Sequence, residues 1–197
     1  YCSEGGHNAY RFFSLERVKK DIDFLDNAGI EKLFIYDGSF SLHPHCLEIC
    51  EHLAQKKNIK KVFVDVNVEL LDETLVKAFK KAGVCLEVGL QTVSPRALRN
   101  INRTFNKEKF SANIKLLREN GVDYVIDLIR GLPGDNFFSL MAAHKFSLAL
   151  KPMRCVVNPL FILPGAQMER DVQKFDIKYS RSSYLQYGNR TWSMDEN

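Results

Sequence analysis

The chain has 197 residues, 45% of them hydrophobic and 26% charged, with a net charge of +4. That length fits one domain with a full core, and no run reaches the ~18 apolar residues a membrane-spanning helix needs. The small surplus of Lys and Arg is scattered, which argues against a nucleic-acid-binding face, and pairs such as Lys19-Lys20, Lys56-Lys57 and Lys60-Lys61 read as solvated helix ends.

Taken in order, the chain opens on Tyr1-Cys2-Ser3-Glu4-Gly5-Gly6, a thiol among small and polar residues. A helix follows over 14–28, with Leu15, Val18, Ile22 and Leu25 on one face, Ser14 as N-cap and Glu16 in the first turn. A strand is predicted over 32–37, a helix over 43–56, a strand over 61–67 and a helix over 71–82, whose stripe is Leu75, Ala78, Phe79 and Ala82. A strand over 84–91 precedes a helix over 107–120 carrying Phe110, Ile114 and Leu117, then a strand over 123–130, a helix over 136–150 and a strand over 154–162. Gly29, Gly83 and Gly121 fall where helix ends call for a positive φ. The strand runs are rich in Val, Ile, Leu and Phe without clean alternation, which reads as burial on both faces.

Strictly alternating helices and strands imply a parallel sheet with right-handed crossovers. The chain begins on a helix, so one strand ahead of residue 1 is expected to be missing. The fold class is therefore α/β, an open, TIM-like partial (β/α)6 barrel over residues 1–170, with 171–197 as a C-terminal extension where the pattern breaks.

The five cysteines, Cys2, Cys46, Cys50, Cys85 and Cys155, are odd in number and irregularly spaced, unlike a secreted disulfide framework. With no signal peptide visible, a reducing, cytoplasmic setting is expected. Cys46 and Cys50 stand at i, i+4, but Ile49 and Leu53 complete the same stripe, so both read as core. His43, His45 and Cys46 read as a helix N-terminus, and Cys85 and Cys155 as core residues of strands.

In parallel β/α folds the active groups gather at the carboxyl ends of the strands. Those ends carry Asp37-Gly38-Ser39, then Asp65 and Asn67, then Glu87, Gln91 and Thr92, then Asp127 with Gly131-Leu132-Pro133-Gly134-Asp135, and last Asn158-Pro159 and Pro164-Gly165. A buried carboxylate must be paired, hydrogen-bonded or turned to a pocket, so Asp65, Glu87 and Asp127 mark a polar site. Arg103 reads either as a solvated side chain or as the cation for a carboxylate ligand at the barrel mouth. No Walker A loop, HExxH or GxSxG elbow is present, against kinase, metalloprotease and serine-hydrolase chemistry.

The ordered set YDGSF, VDVN, LEVGLQT, RNINRTFNKEKF, DLIRGLPGD and NPLFILPG resembles the core of radical S-adenosylmethionine (SAM) enzymes. The likeness covers most of residues 1–170. It is nearest the branch of oxygen-independent coproporphyrinogen dehydrogenase and the cobalamin-binding radical enzymes. The resemblance implies that Tyr1-Cys2 ends a CxxxCxxC motif whose earlier cysteines are absent from this chain, making Cys2 a ligand of a 4Fe-4S cluster. It implies that Asp37, Gly38 and Ser39 hold the methionine amine, although the family's pattern there is Gly-Gly-Glu, and that Asp65 takes that amine instead. It assigns Arg103 to the methionine carboxylate, Gln91 and Asp127 to the ribose hydroxyls, and the GLPG and ILPG turns to the adenine. Arg130 stands where many relatives carry an aromatic or apolar residue.

The implied activity is reductive cleavage of SAM to a 5′-deoxyadenosyl radical that abstracts hydrogen from a small-molecule or peptide substrate. An electron donor such as flavodoxin or ferredoxin is the implied partner. Methylation with cobalamin held by an upstream domain, oxidative decarboxylation, epimerisation and methylthiolation all stay open. Two other classes are consistent with the residues themselves: a barrel-type lyase or isomerase without a cluster, and a non-catalytic binding module on the same fold.

Overall fold

A computed structural model describes residues 11–38, 40–181 and 186–190. Helix α1 (Leu15–Asn27) leads into β1 (Lys32–Ile35), α2 (Cys46–Leu53), β2 (Lys61–Val66), α3 (Glu73–Lys81) and β3 (Val84–Gln91). Then come α4 (Pro95–Asn100), α5 (Lys107–Glu119), β4 (Asp123–Arg130), α6 (Phe137–Ala149), β5 (Arg154–Pro159) and α7 (Gln167–Arg170), and last the antiparallel hairpin of β6 (Lys178–Arg181) and β7 (Gln186–Arg190). Strands β1 to β5 form one parallel sheet in sequential order, open at both edges among the described residues.

The helix ends obey their local chemistry. Ser14 accepts from the Arg17 N–H to cap α1, Asp72 does the same for α3, and Gly29, Gly83 and Gly121 take φ of 76°, 65° and 66°. Gly83 has a second reason: a Cβ there would stand 3.1 Å from the Lys60 carbonyl oxygen. Helices cover one face of the sheet. Val62, Val64, Val66, Leu86, Val88, Leu90, Tyr124, Ile126 and Leu128 point to that side and join Ile49, Leu53, Val76, Phe79, Ile114 and Leu117 in the main core. Cys46 and Cys50 lie in this core, and the thiol of Cys50 is pushed up by its hydrogen bond to Cys46 and by burial.

The other face is not sealed, and the expectation of strands buried on both faces is corrected here. Strand β2 alternates half-buried and buried positions, and Phe63, Asp65, Glu87, Gly89, Gln91 and Asp127 sit on the partly open side. Cys85 is buried on that same side, away from the helices, whereas Cys155 faces α6 and bonds Ser147. Two lysines leave the surface role expected of them: Lys56 pairs with Asp23, and Lys61 opens β2 and pairs with Asp123.

Several elements end sooner than the sequence suggests. Strand β1 stops at Ile35 because the Asp37 N–H turns back onto the Ile35 carbonyl at 3.0 Å. Strand β5 ends at Pro159, where its pairing with β4 runs out at Arg130, the last residue of that strand. Residues 43–45 form a turn ahead of α2 rather than its first turn. A second, smaller core of Ala97, Ile101, Leu132, Leu160, Ile162, Met168, Phe175 and Ile177 seals the rim at the carboxyl ends of β3 to β5.

Candidate functional site

Strand register brings the polar groups together. Asp65 on β2 lies beside Glu87 on β3, and Asp127 on β4 lies beside Gly89, one pleat further along. The three carboxylates therefore share the open face and its upper half. Their charges add: burial first, then Glu87 and Asp65, push Asp127 up to about 6, against a lowering by Arg154 and by a hydrogen bond from Asn158. On the adjoining strand Phe34 stacks on Phe63 with centroids 4.5 Å apart. These rings, Tyr36, Asp65 and Glu87 line a shallow cleft.

The end of β3 is the most distorted point of the sheet. The ladder to β4 slips between Gly89 and Gln91, which is a bulge. Gln91 has φ 68°, and the Thr92 N–H bonds the Leu90 carbonyl at 2.9 Å across it. That is a γ-turn of the strained, positive-φ kind, which a non-glycine residue adopts at a cost of about 1–3 kcal/mol. The turn folds the Gln91 amide back over Gly89, where a Cβ would lie 2.3 Å from Gln91 Nε2 and 4.0 Å from Arg103 Nη2. A side chain at Gly89 would have to displace that amide. Arg103 Nη2 also donates to the Gly89 carbonyl, which fixes the plane of its guanidinium.

Arg103 is delivered by α4, an element missed when the sequence is read by stripes because it is only six residues long. The signal was present as Ser94-Pro95, an N-cap followed by proline at the first helical position. The helix closes with Asn102 at φ 52° and the Arg103 N–H on the Leu98 carbonyl at 2.9 Å, which aims Arg103 back at the sheet.

Asp65, Gln91, Arg103 and Asp127 thus lie at one rim of the sheet. Asp37 is half-buried and Gly38 exposed at the end of β1, while Cys2 and Ser39 lie outside the described residues. Asn67 is spent on capping the turn at Val68–Leu70 and is not part of the rim. Arg130 is exposed at the end of β4. The turn before α2, whose His43 and His45 read from the sequence as a helix N-terminus, also buries Ser41 Oγ and His43 Nε2 with no hydrogen-bond partner among the described residues. Among the described residues no group of three or more His, Cys, Asp or Glu is placed to hold a metal ion.

An open parallel β/α sheet whose strand ends join carboxylates, an amide and a guanidinium is a half-barrel with a polar rim, at the end of the sheet where such folds place their sites. The family model of the radical SAM superfamily matches residues 1–146, and the chain belongs to that family. Among curated relatives, the heme chaperone HemW of Buchnera aphidicola subsp. Schizaphis graminum is 21% identical over 144 residues, covering 70% of this chain and 38% of its own. The HemW of B. aphidicola subsp. Acyrthosiphon pisum is 23% identical, with 80% and 44% covered. The chain therefore spans about two fifths of the length of these relatives. Among solved structures, the radical SAM methyltransferase TsrM of Kitasatospora setae, determined with cobalamin and a [4Fe-4S] cluster, superposes with a TM-score of 0.71 at 17% identity over 86% of this chain and 37% of that one. The coproporphyrinogen III oxidase HemN of Escherichia coli gives a TM-score of 0.63 at 21% identity over 76% of this chain and 37% of that one. The open half-barrel expected from the sequence is the fold these structures share.

Proposed function

We propose that this chain is the SAM-binding core of a radical enzyme, and that its strand-end rim holds the nucleoside and methionyl parts of SAM. The observation that carries this reading is the end of β3, where a strained Gln91 folds its amide over Gly89 and Arg103 donates to the Gly89 carbonyl, so that an amide and a guanidinium meet at one residue. Such a cradle fits a ligand with hydroxyls and a carboxylate. Asp127, with its carboxyl held near 6, is mostly ionised at neutral pH and accepts from ribose hydroxyls. The Gln91 amide supports the same ribose. Arg103, its fork oriented by the Gly89 carbonyl, meets the methionine carboxylate. Asp65 receives the amine.

Cys2 would be one of the thiolates that hold a 4Fe-4S cluster, and that group, when bound, would supply the electron for reductive cleavage of SAM. The chain's own part is to bind, orient and shield. In this reading the electron comes from a flavodoxin or ferredoxin, the substrate is a small molecule or peptide, and any cobalamin sits on an upstream domain. The unpaired thiols of Cys46, Cys50 and Cys85 suit the reducing cytoplasm.

The test is calorimetric SAM binding by the cluster-loaded, full-length protein, with iron content measured alongside. Arg103→Ala and Asp127→Ala each remove a charge-assisted bond of about 1.5–3 kcal/mol, so affinity should fall roughly ten- to hundredfold while iron stays level. Wild-type affinity in both variants overturns the assignment of the rim to SAM.

A further inference from the structure

Two loops at this rim are tied together by a buried polar link. Thr92 is 0% exposed and Asp135 4%. Thr92 Oγ1 donates to Asp135 Oδ2 at 2.8 Å and accepts from the Ser94 N–H at 3.0 Å. The second carboxylate oxygen of Asp135 takes the Asn136 N–H at 3.1 Å and the hydroxyl of Ser139. The pair spans 43 residues of sequence and joins the exit of β3 to the turn that follows β4.

Around that link the two segments interlock. Ser94 caps α4 through the Ala97 N–H, and Asn100 Nδ2 donates to the Pro133 carbonyl at 3.0 Å. Gly134 has φ 85°, and a Cβ there would lie 2.7 Å from Asn100 Nδ2 and 2.9 Å from Arg96 Cγ. The Gly131–Asp135 turn is therefore seated directly on α4. Thr92 adjoins the strained Gln91, and α4 ends in Arg103. A residue in a sparsely populated conformation persists only where its surroundings over-determine it. The neighbour that does so here is Thr92, whose side chain is fixed at both its donor and its acceptor positions.

We infer that the Thr92–Asp135 link is a positioning clasp: it holds Gln91 in its strained turn and seats α4 so that Gln91 and Arg103 address the same ligand as Asp127. The inference rests on the reading of the rim as a SAM site. The competing account is a buried hydrogen bond that serves stability alone. The two differ in what a shape-preserving substitution does. Thr92→Val keeps the volume and removes the hydroxyl. A stability role lowers the melting temperature and leaves affinity untouched. A clasp frees both loops and weakens the ligand.

The experiment uses the full-length, cluster-loaded protein with S-adenosylhomocysteine as probe, calorimetry for affinity and amide hydrogen exchange for the loops. Thr92→Val should lower affinity about tenfold and speed exchange in both 91–103 and 131–139, with α1 and α2 unchanged. Thr92→Ser, which restores the hydroxyl, should recover both readouts. Combined with Arg103→Ala, Thr92→Val should add less than its own separate loss, because the two act through one arrangement. If Thr92→Val does not fold, Ser139→Ala, which removes one donor to Asp135, is read by the same two measurements. Wild-type affinity in a folded, destabilised Thr92→Val (or in Ser139→Ala where that stands in) overturns the clasp while leaving the proposed function intact. If the wild-type protein itself fails to bind the probe, the reading of the rim falls, and the clasp with it.

Discussion

Gly89→Ala separates stability from ligand binding more sharply than any deletion at the rim. The added Cβ would lie 2.3 Å from Gln91 Nε2, 3.4 Å from its Cδ and 4.0 Å from Arg103 Nη2. Gly89 lies outside the positive-φ region, so alanine meets no backbone strain there. The atom it strikes is the far end of a flexible side chain, which can swing away. Alanine also gains about 0.5–1 kcal/mol over glycine in a strand interior. The expected net change in stability is within about 1 kcal/mol, a shift of roughly 2–4 °C at this chain length. Binding behaves differently. Restoring an ordinary contact of ~3.4 Å moves the Gln91 amide by about 1 Å, which takes a hydrogen bond out of range. Losing one neutral bond costs about 1 kcal/mol, or roughly fivefold, and the methyl in the cradle extends the loss toward fiftyfold. Thermal unfolding and titration with S-adenosylhomocysteine read the two quantities side by side. Unchanged affinity would show that Gln91 does not face the ligand. A destabilisation beyond about 3 kcal/mol would show that the amide cannot yield and would refute the steric argument.

Cys46→Ala and Cys50→Ala each delete a small group from the core and should cost about 1–2 kcal/mol in denaturant unfolding. In the full-length protein, iron content should hold for both and fall for Cys2→Ala; equal iron loss in all three would make the buried pair metal ligands. Asp127 gives a pH signature. Its carboxyl is raised from 3.8 to about 6, so the folded state binds the extra proton between those values and loses stability as pH rises through that window. The shift corresponds to at most ~3 kcal/mol, reduced to about 1–2 kcal/mol by solvent at this partly exposed site. Asp127→Asn should therefore exceed wild type in stability at pH 7 by about that amount and match it near pH 4, and a pH-independent difference between the two would contradict the carboxylate coupling.

What could be read from the sequence was what is encoded locally. Ser14, Gly29, Gly83 and Gly121 mark helix ends through their own backbone preferences, and the stripe of Phe110, Ile114 and Leu117 is buried as its spacing requires. Polar residues interrupting apolar strands pointed to Asp65, Glu87 and Asp127, and register then set them on one face. The features that escaped are those fixed by distant partners. Lys61 looks like a solvated surface lysine until its partner Asp123, 62 residues away, is in place. Asp135 reads as a turn residue, and only the folded chain shows that it meets Thr92. The six residues of α4 are too few for a periodic signal, though their cap and proline were legible.

The same division explains why the distortion lies at the end of β3. That strand is the middle one of the five described, bonded to β2 on one side and β4 on the other, whereas β1 and β5 are the outer strands among the described residues. A γ-turn with a bulge costs local energy, and an edge strand would relax it by peeling away. The strand is held on both flanks up to Val88 and by β4 alone beyond it, and there a core of Leu86, Val88 and Leu90 beneath and the buried Thr92 beyond hold the chain in place. The conformation of Gln91 is thus imposed by the fold and not by its own propensity, which is that of a strand residue. A group held this way loses little freedom when a ligand arrives, so less of the binding energy is consumed in ordering it. Rigidity at the centre of the sheet and strain at its tip are two aspects of one arrangement, and the rim residues depend on both.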